Sequence, residues 1–175
     1  MINNVNSLQP YTLVVVDMQS AFKASQGESV LLGVAAEIKL AIASGQPVVI
    51  LESNPRLNGP THRCLTDLLQ GYDTLRHIVL TKDGRGLGMG SGGGREVAEA
   101  CDFLGFPTER FRLCGVNTDI CVFFTTLELS RHFGGPQLEL VRNACSSQWC
   151  DSEEQEWASF AYYARFHEMS SYTVC

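Results

Sequence analysis

The sequence predicts an α/β fold: a mostly parallel, six-stranded sheet with helices on both faces. Three observations lead there. Short unbroken apolar runs rich in β-branched residues, such as residues 13–16 and 48–51, alternate with segments whose apolar residues recur at helical spacing. The order is β then α almost throughout, and parallel neighbours require such crossovers. A length of 175 residues with 45% hydrophobic content suffices for one substantial core, so a single domain over residues 1–175 is expected.

Residues 11–16 form the first expected strand, which ends at Asp17. Over 29–44, Val30, Val34, Ile38 and Ile42 share one helical stripe, and Gly45 offers the stop. A second strand is expected over 47–51, a short helix over 61–69, and a third strand over 75–80 that delivers Lys82. Seven of the twelve residues from 83 to 94 are glycine, too entropically costly to hold in a regular element, so a mobile loop is expected. Helices follow over 95–104, 118–132 and 152–168, with strands over 111–115 and 138–141 and a short terminal strand. In the last helix Trp157, Phe160, Ala161 and Ala164 fall on one stripe and read as core.

The charged fraction, 18%, is low, so neutral residues or another subunit must cover much of the surface, and a homo-oligomer, dimer or larger, is expected. A net charge of -6 and a pI near 5.2 argue against nucleic acid or anionic lipid as partners. No apolar run approaches the roughly 20 residues of a membrane span. The opening MINNVNSLQPY lacks a signal-like basic and apolar pattern, which points to the cytoplasm. Seven cysteines without CxxC or Cys/His ligand spacing suggest neither a disulfide frame nor structural zinc.

Ligands of open parallel sheets bind beyond the carboxyl ends of the strands, where strand order reverses. Three reactive side chains are expected there: Asp17 after strand one, Lys82 after strand three, and Cys121 in the first turn of the helix after strand four. A helix N-terminus and a nearby ammonium both favour thiolate over thiol, so Cys121 is expected to be an ionised nucleophile. Asn117 or Thr118 would cap the helix, leaving N–H groups around 117–121 to receive an oxyanion. Asp17 would carry the proton and Lys82 would hold the charges together. Singly, each has a plainer reading: a packed cysteine, a capping aspartate, a solvated lysine.

The segments LVVVDMQSAF (13–22), VLTK (79–82), CGVNTDICVFFTTLELSRHF (114–133) and LVRNACSS (140–147) resemble the isochorismatase-like cysteine hydrolase superfamily, in its order and spacing. The resemblance implies a three-layer α/β/α fold, a catalytic Asp17–Lys82–Cys121 triad, a cis peptide between Val116 and Asn117, and an oxyanion hole from the N–H groups of Asn117 and Cys121. Phe22, Arg85 and Trp149 are the expected substrate-contacting residues.

Two departures from that pattern matter. Where nicotinamidases carry an Asp-x-His metal motif, this chain has Glu52, Ser53 and Asn54, with His62 alone downstream, so neither a metal nor any other cofactor is expected. After the lysine stands DGRGLGMGSGGG, whose Gly88-x-Gly90-x-x-Gly93 formally matches a dinucleotide fingerprint but in the wrong place, since that motif follows the first strand. A lid or an oligomer contact is the preferred expectation, with Arg85 and Arg95 available to meet a carboxylate.

The leading functional expectation is hydrolysis of a small amide or carbamoyl compound through a thioester on Cys121. The alternatives are vinyl-ether hydrolysis of the isochorismatase kind and a metabolite-binding protein without turnover.

Overall fold

A computed structural model describes residues 9–82, 92–169 and 171–175. Six strands, β1 (Thr12–Val16), β2 (Val48–Ser53), β3 (His77–Lys82), β4 (Arg110–Val116), β5 (Gln137–Ser146) and β6 (Tyr172–Val174), form one sheet of order β3-β2-β1-β4-β5-β6. Every ladder is parallel. The principal helices are α1 (Glu28–Ala43), α4 (Gly94–Leu104), α5 (Phe123–Phe133) and α6 (Glu153–Phe166), with one-turn helices α2 (Pro55–Asn58) and α3 (Arg63–Thr66) after β2. The expected α/β/α architecture is observed.

Burial on both faces explains why the central strands read as continuous apolar runs. In β1, Val14 and Val16 enter one core layer with Val97, Cys101, Phe123 and Phe160 from α4, α5 and α6. Leu13 and Val15 enter the other with Val30, Val34 and Ile38 of α1. At the amino edge Arg112 lies 2.9 Å from both Glu37 on α1 and Glu139 on β5, tying helix to sheet where the strands carry charge rather than hydrocarbon.

The strand order reverses between β1 and β4, which leave the sheet toward opposite sides and open a crevice. Gly115 sits there with φ +124°, and a Cβ on it would stand 2.0 Å from the Val16 carbonyl oxygen. Only glycine allows this approach.

Several expected boundaries move. Lys82 is the last residue of β3 and not a residue beyond it, because its backbone still pairs with Ser53. The expected helix over 61–69 divides into α3 and a 3-10 turn, Asp67–Leu69. The helix expected from residue 118 begins as a five-residue π-type turn, Thr118–Val122, before α5. β5 runs five residues beyond residue 141 because a register shift opposite β4 lets it continue beside Gly115 and Val116. Of the glycine-rich loop expected over 83–94, residues 83–91, Arg85 among them, lie outside the described residues, while Gly93 caps α4 and Gly94 is its first residue.

Gly33 tests packing against propensity. Alanine in a helix interior gains about 0.5–1 kcal/mol over glycine, but its Cβ here would stand 2.3 Å from the Asn143 carbonyl oxygen of β5. The clash should win: Gly33→Ala is expected to lower unfolding free energy in urea by about 1–3 kcal/mol, whereas a gain would mean that α1 is not seated on β5 as described.

Candidate active site

Asp17 leaves β1 at φ +51°, a left-handed conformation that aspartate tolerates better than most residues. Its N–H donates to the Leu51 carbonyl at 3.0 Å and its own carbonyl accepts from Gln19 N–H at 2.7 Å, so the backbone is held on both sides. Lys82 reaches across from the edge strand and places Nζ 2.7 Å from Asp17 Oδ2, with side chains 5% and 0% exposed respectively. Taking two such charges out of water costs several kcal/mol per ion. Asp17 Oδ1 is sealed from solvent and has no hydrogen bond of normal length and angle among the described residues. A buried carboxylate oxygen is thus held at the reversal point.

Cys121 is delivered by the turn that follows β4. The Val116–Asn117 peptide is cis. The Asn117 carbonyl accepts from Ile120 and Val122 N–H groups at 3.2 and 3.0 Å, which closes the π-type turn. Three side chains then fasten the turn to the segment after β5 and to α6: Asn117 Oδ1 accepts from Gln148 N–H at 3.0 Å, Thr118 Oγ1 donates to Glu156 Oε1, and Asp119 Oδ1 accepts from Ser147 Oγ at 2.5 Å. Burial is the largest of the influences that raise the Glu156 carboxyl above the ordinary range, with the Thr118 hydroxyl opposing it.

The expected thiolate is not what this environment produces. Burial pushes the Cys121 thiol up to about 11, outweighing the Lys82 ammonium and the Asn117 N–H, which pull it down; the Asp17 charge and the pull of that carboxylate on the thiol proton add to the rise. The resting group is a neutral thiol beside a carboxylate. Sequence reasoning weighed the helix terminus and the ammonium but had no measure of desolvation.

The structure therefore brings Asp17, Lys82 and Cys121 into one electrostatic unit. Val116 and Asn117 lie beside it, and the Asn117 N–H is directed at the sulfur. Phe22 is half-buried against the core layer on the α1 side. Trp149 is 65% exposed, its N–H held by Ser147 Oγ at 3.2 Å. Arg95 is exposed and pairs with Glu99 on its own helix, Nε 3.7 Å from Oε1.

The stretch after β2 does not make a metal cage. Glu52 Oε1 accepts from Thr61 N–H and Oγ1 at 2.8 and 2.9 Å, and His62 Nε2 lies 2.9 Å from Ser25 Oγ. Ser53 and Asn54 stand where further ligands would be needed, and no group of three His, Cys, Asp or Glu suited to a metal occurs among the described residues. The residues present do not fit the nicotinamidase metal, and no chemical step is routed through one.

Sequence reasoning missed Asp119, Glu156 and Glu128. Asp119 stood inside a quoted segment without a role. Glu156 is a buried acid in the first turn of α6, where acids are common for capping reasons alone, so nothing marked it.

Neither a protein-family model nor a curated protein matches the chain. Solved structures do. The YcaC gene product of Escherichia coli, described as an octameric hydrolase of unknown specificity, is 16% identical with a TM-score of 0.69 over 94% of this chain and 75% of its own. The pyrazinamidase/nicotinamidase of Streptococcus mutans is 16% identical with a TM-score of 0.68, covering 94% and 99%. An isochorismatase from Pseudomonas putida is 14% identical with a TM-score of 0.68, covering 94% and 87%. At such identities these likenesses show the fold.

A neutral thiol has a kinetic signature. With a thiol pKa near 11 against an ordinary 9.0, Cys121 should carry about a hundredfold less thiolate at neutral pH than a free cysteine, and its iodoacetamide alkylation should rise about tenfold per pH unit from pH ~7 to ~10. Peptide mapping separates it from exposed Cys64 and Cys175. A rate that levels off below about pH 8 would show the thiolate to be the resting form instead.

Proposed function

We propose, from the isochorismatase-like hydrolase fold, that the chain is a cysteine hydrolase that cleaves a small amide or carbamoyl compound. The observation that carries this reading is the buried Lys82–Asp17 pair at 2.7 Å, whose carboxylate acts on the buried Cys121 thiol.

In this mechanism Asp17 removes the thiol proton as the sulfur attacks the substrate carbonyl carbon. The carbonyl π electrons move to oxygen, and N–H groups of Asn117 and Cys121 receive that oxyanion. Collapse breaks the C–N bond, Asp17 returns its proton to the leaving nitrogen, and a thioester remains on Cys121. Asp17 then deprotonates a water that attacks the thioester, releasing the acid and restoring the thiol. Lys82 orients Asp17 in both halves.

Vinyl-ether hydrolysis is the second reading, favoured by one observation: a thiol near 11 is a reluctant nucleophile, while the Asp17 carboxylate alone could serve acid–base chemistry. A panel of amides, ureides and isochorismate, with ammonia detection, separates the two. Amide turnover should fall by about a thousandfold or more in Cys121→Ala, whereas a Cys121→Ala protein that keeps activity on isochorismate would establish the second reading and remove the first. Binding of panel compounds by thermal shift, without any turnover, would leave a binding protein.

The protein is further proposed to be a single-domain homo-oligomer of the cytoplasm, which takes a small molecule as its partner and neither nucleic acid nor membrane. No helix among the described residues is long and apolar enough to cross a membrane. Apolar side chains left open on one chain, among them Leu57, Phe103 and Phe166, support self-association. Light scattering should give a mass at least twice the 19.2 kDa of one chain, and a monomer at micromolar concentration would refute it.

A further inference from the structure

Three consecutive glycines lead into α4, and each is pressed against part of the candidate centre. A Cβ on Gly92 would lie 2.2 Å from the Phe124 carbonyl carbon and 2.3 Å from Thr125 N, and one on Gly94 would lie 2.6 Å from Thr125 O and from Glu128 Cβ. Gly93 has φ +82°, and its Cβ would stand 2.9 Å from Lys82 Cγ and 3.1 Å from both Leu51 methyl groups. The segment is therefore a wedge of bare backbone, with α5 on one side and the methylene stem of Lys82 on the other.

Helix α5 grips this wedge. Glu128 Oε1 accepts from Gly92 N–H and Oε2 from Gly94 N–H, both at 2.8 Å. Thr125 Oγ1 is hydrogen-bonded to the Gly92 carbonyl and lies 2.8 Å from the Cys121 carbonyl. Gly93 is the N-cap of α4 and has no side chain to cap with. The Glu128 carboxylate takes that place and faces the positive end of the α4 dipole. Cys121, Thr125 and Glu128 follow at spacings of four and three, so the element that carries the thiol also holds the wedge.

We propose that Glu128 is a positioning residue of the Asp17–Lys82–Cys121 centre: by holding Gly92 and Gly94 it keeps Gly93 against the Lys82 stem, and so keeps the ammonium on Asp17 Oδ2 and close to the Cys121 sulfur. The inference rests on the reading of those three residues as the reacting centre. Without the grip, Gly93 recedes, the stem gains rotamers, and the thiolate loses its nearest positive charge. Asp17 loses its orientation by the same movement.

Iodoacetamide alkylation of Cys121, mapped by peptide mass spectrometry at fixed pH, tests this without a known substrate. Wild type, Glu128→Ala, Glu128→Gln and Lys82→Met are compared, with thermal melts in parallel. Losing the ammonium's influence on the sulfur should slow alkylation about tenfold in Lys82→Met and in Glu128→Ala, with Glu128→Gln, which keeps one acceptor oxygen, in between. If Glu128→Ala does not fold, Glu128→Gln decides. A role confined to capping α4 would lower Tm and leave the Cys121 rate alone. Glu128 variants that alkylate at or above the wild-type rate while Lys82→Met is slowed would overturn the proposal. Lys82→Met at the wild-type rate would instead overturn the underlying reading of the centre, and this inference with it.

Discussion

The buried ion pair between Lys82 and Asp17 is the constraint around which the carboxyl edge of the sheet is organised. Two charges with almost no exposure are a poor way to gain stability, because desolvation offsets most of their attraction, and removing one partner strands the other at a cost of about 3–5 kcal/mol. The sheet order makes the contact possible: β2 separates β3 from β1, and the long lysine side chain spans that strand while its backbone stays paired with Ser53.

The thiol is managed differently. Where the ion pair holds charge against burial, burial holds Cys121 neutral, and its proton lies under the influence of the Asp17 carboxylate. A thiol held in this way resists oxidants and alkylating agents, since both need the thiolate. The turn that presents the sulfur is held from α6 and the segment after β5 by Thr118, Asp119 and Asn117, and its continuation as α5 holds Gly92 and Gly94, which flank the residue packed against the Lys82 stem.

The glycines before α4 show how composition can mislead. As residues in a list they suggest freedom or a phosphate cradle, and Gly88-x-Gly90-x-x-Gly93 even satisfies a nucleotide pattern. In the fold the last three are absences of side chain, required because neighbouring backbone and the Lys82 stem occupy the space where a Cβ would be. The same holds at Gly115, whose approach to Val16 draws β1 and β4 together at the crevice.

The sequence by itself determined the class of the fold, the strand and helix succession, and which three residues, Asp17, Lys82 and Cys121, meet at the carboxyl edge of the sheet. Runs buried on both faces, helical stripes such as Val30, Val34 and Ile38, and caps such as Gly45 are local consequences of side-chain type. Tertiary structure alone decided the protonation of Cys121, the fastening of its turn by Glu156 and Asp119, the extension of β5 through a register shift, and the grip of Glu128 on α4. Each of these depends on desolvation or on distances between residues far apart in the chain. Neither quantity is written in local periodicity, because burial and proximity exist only once the layers have packed.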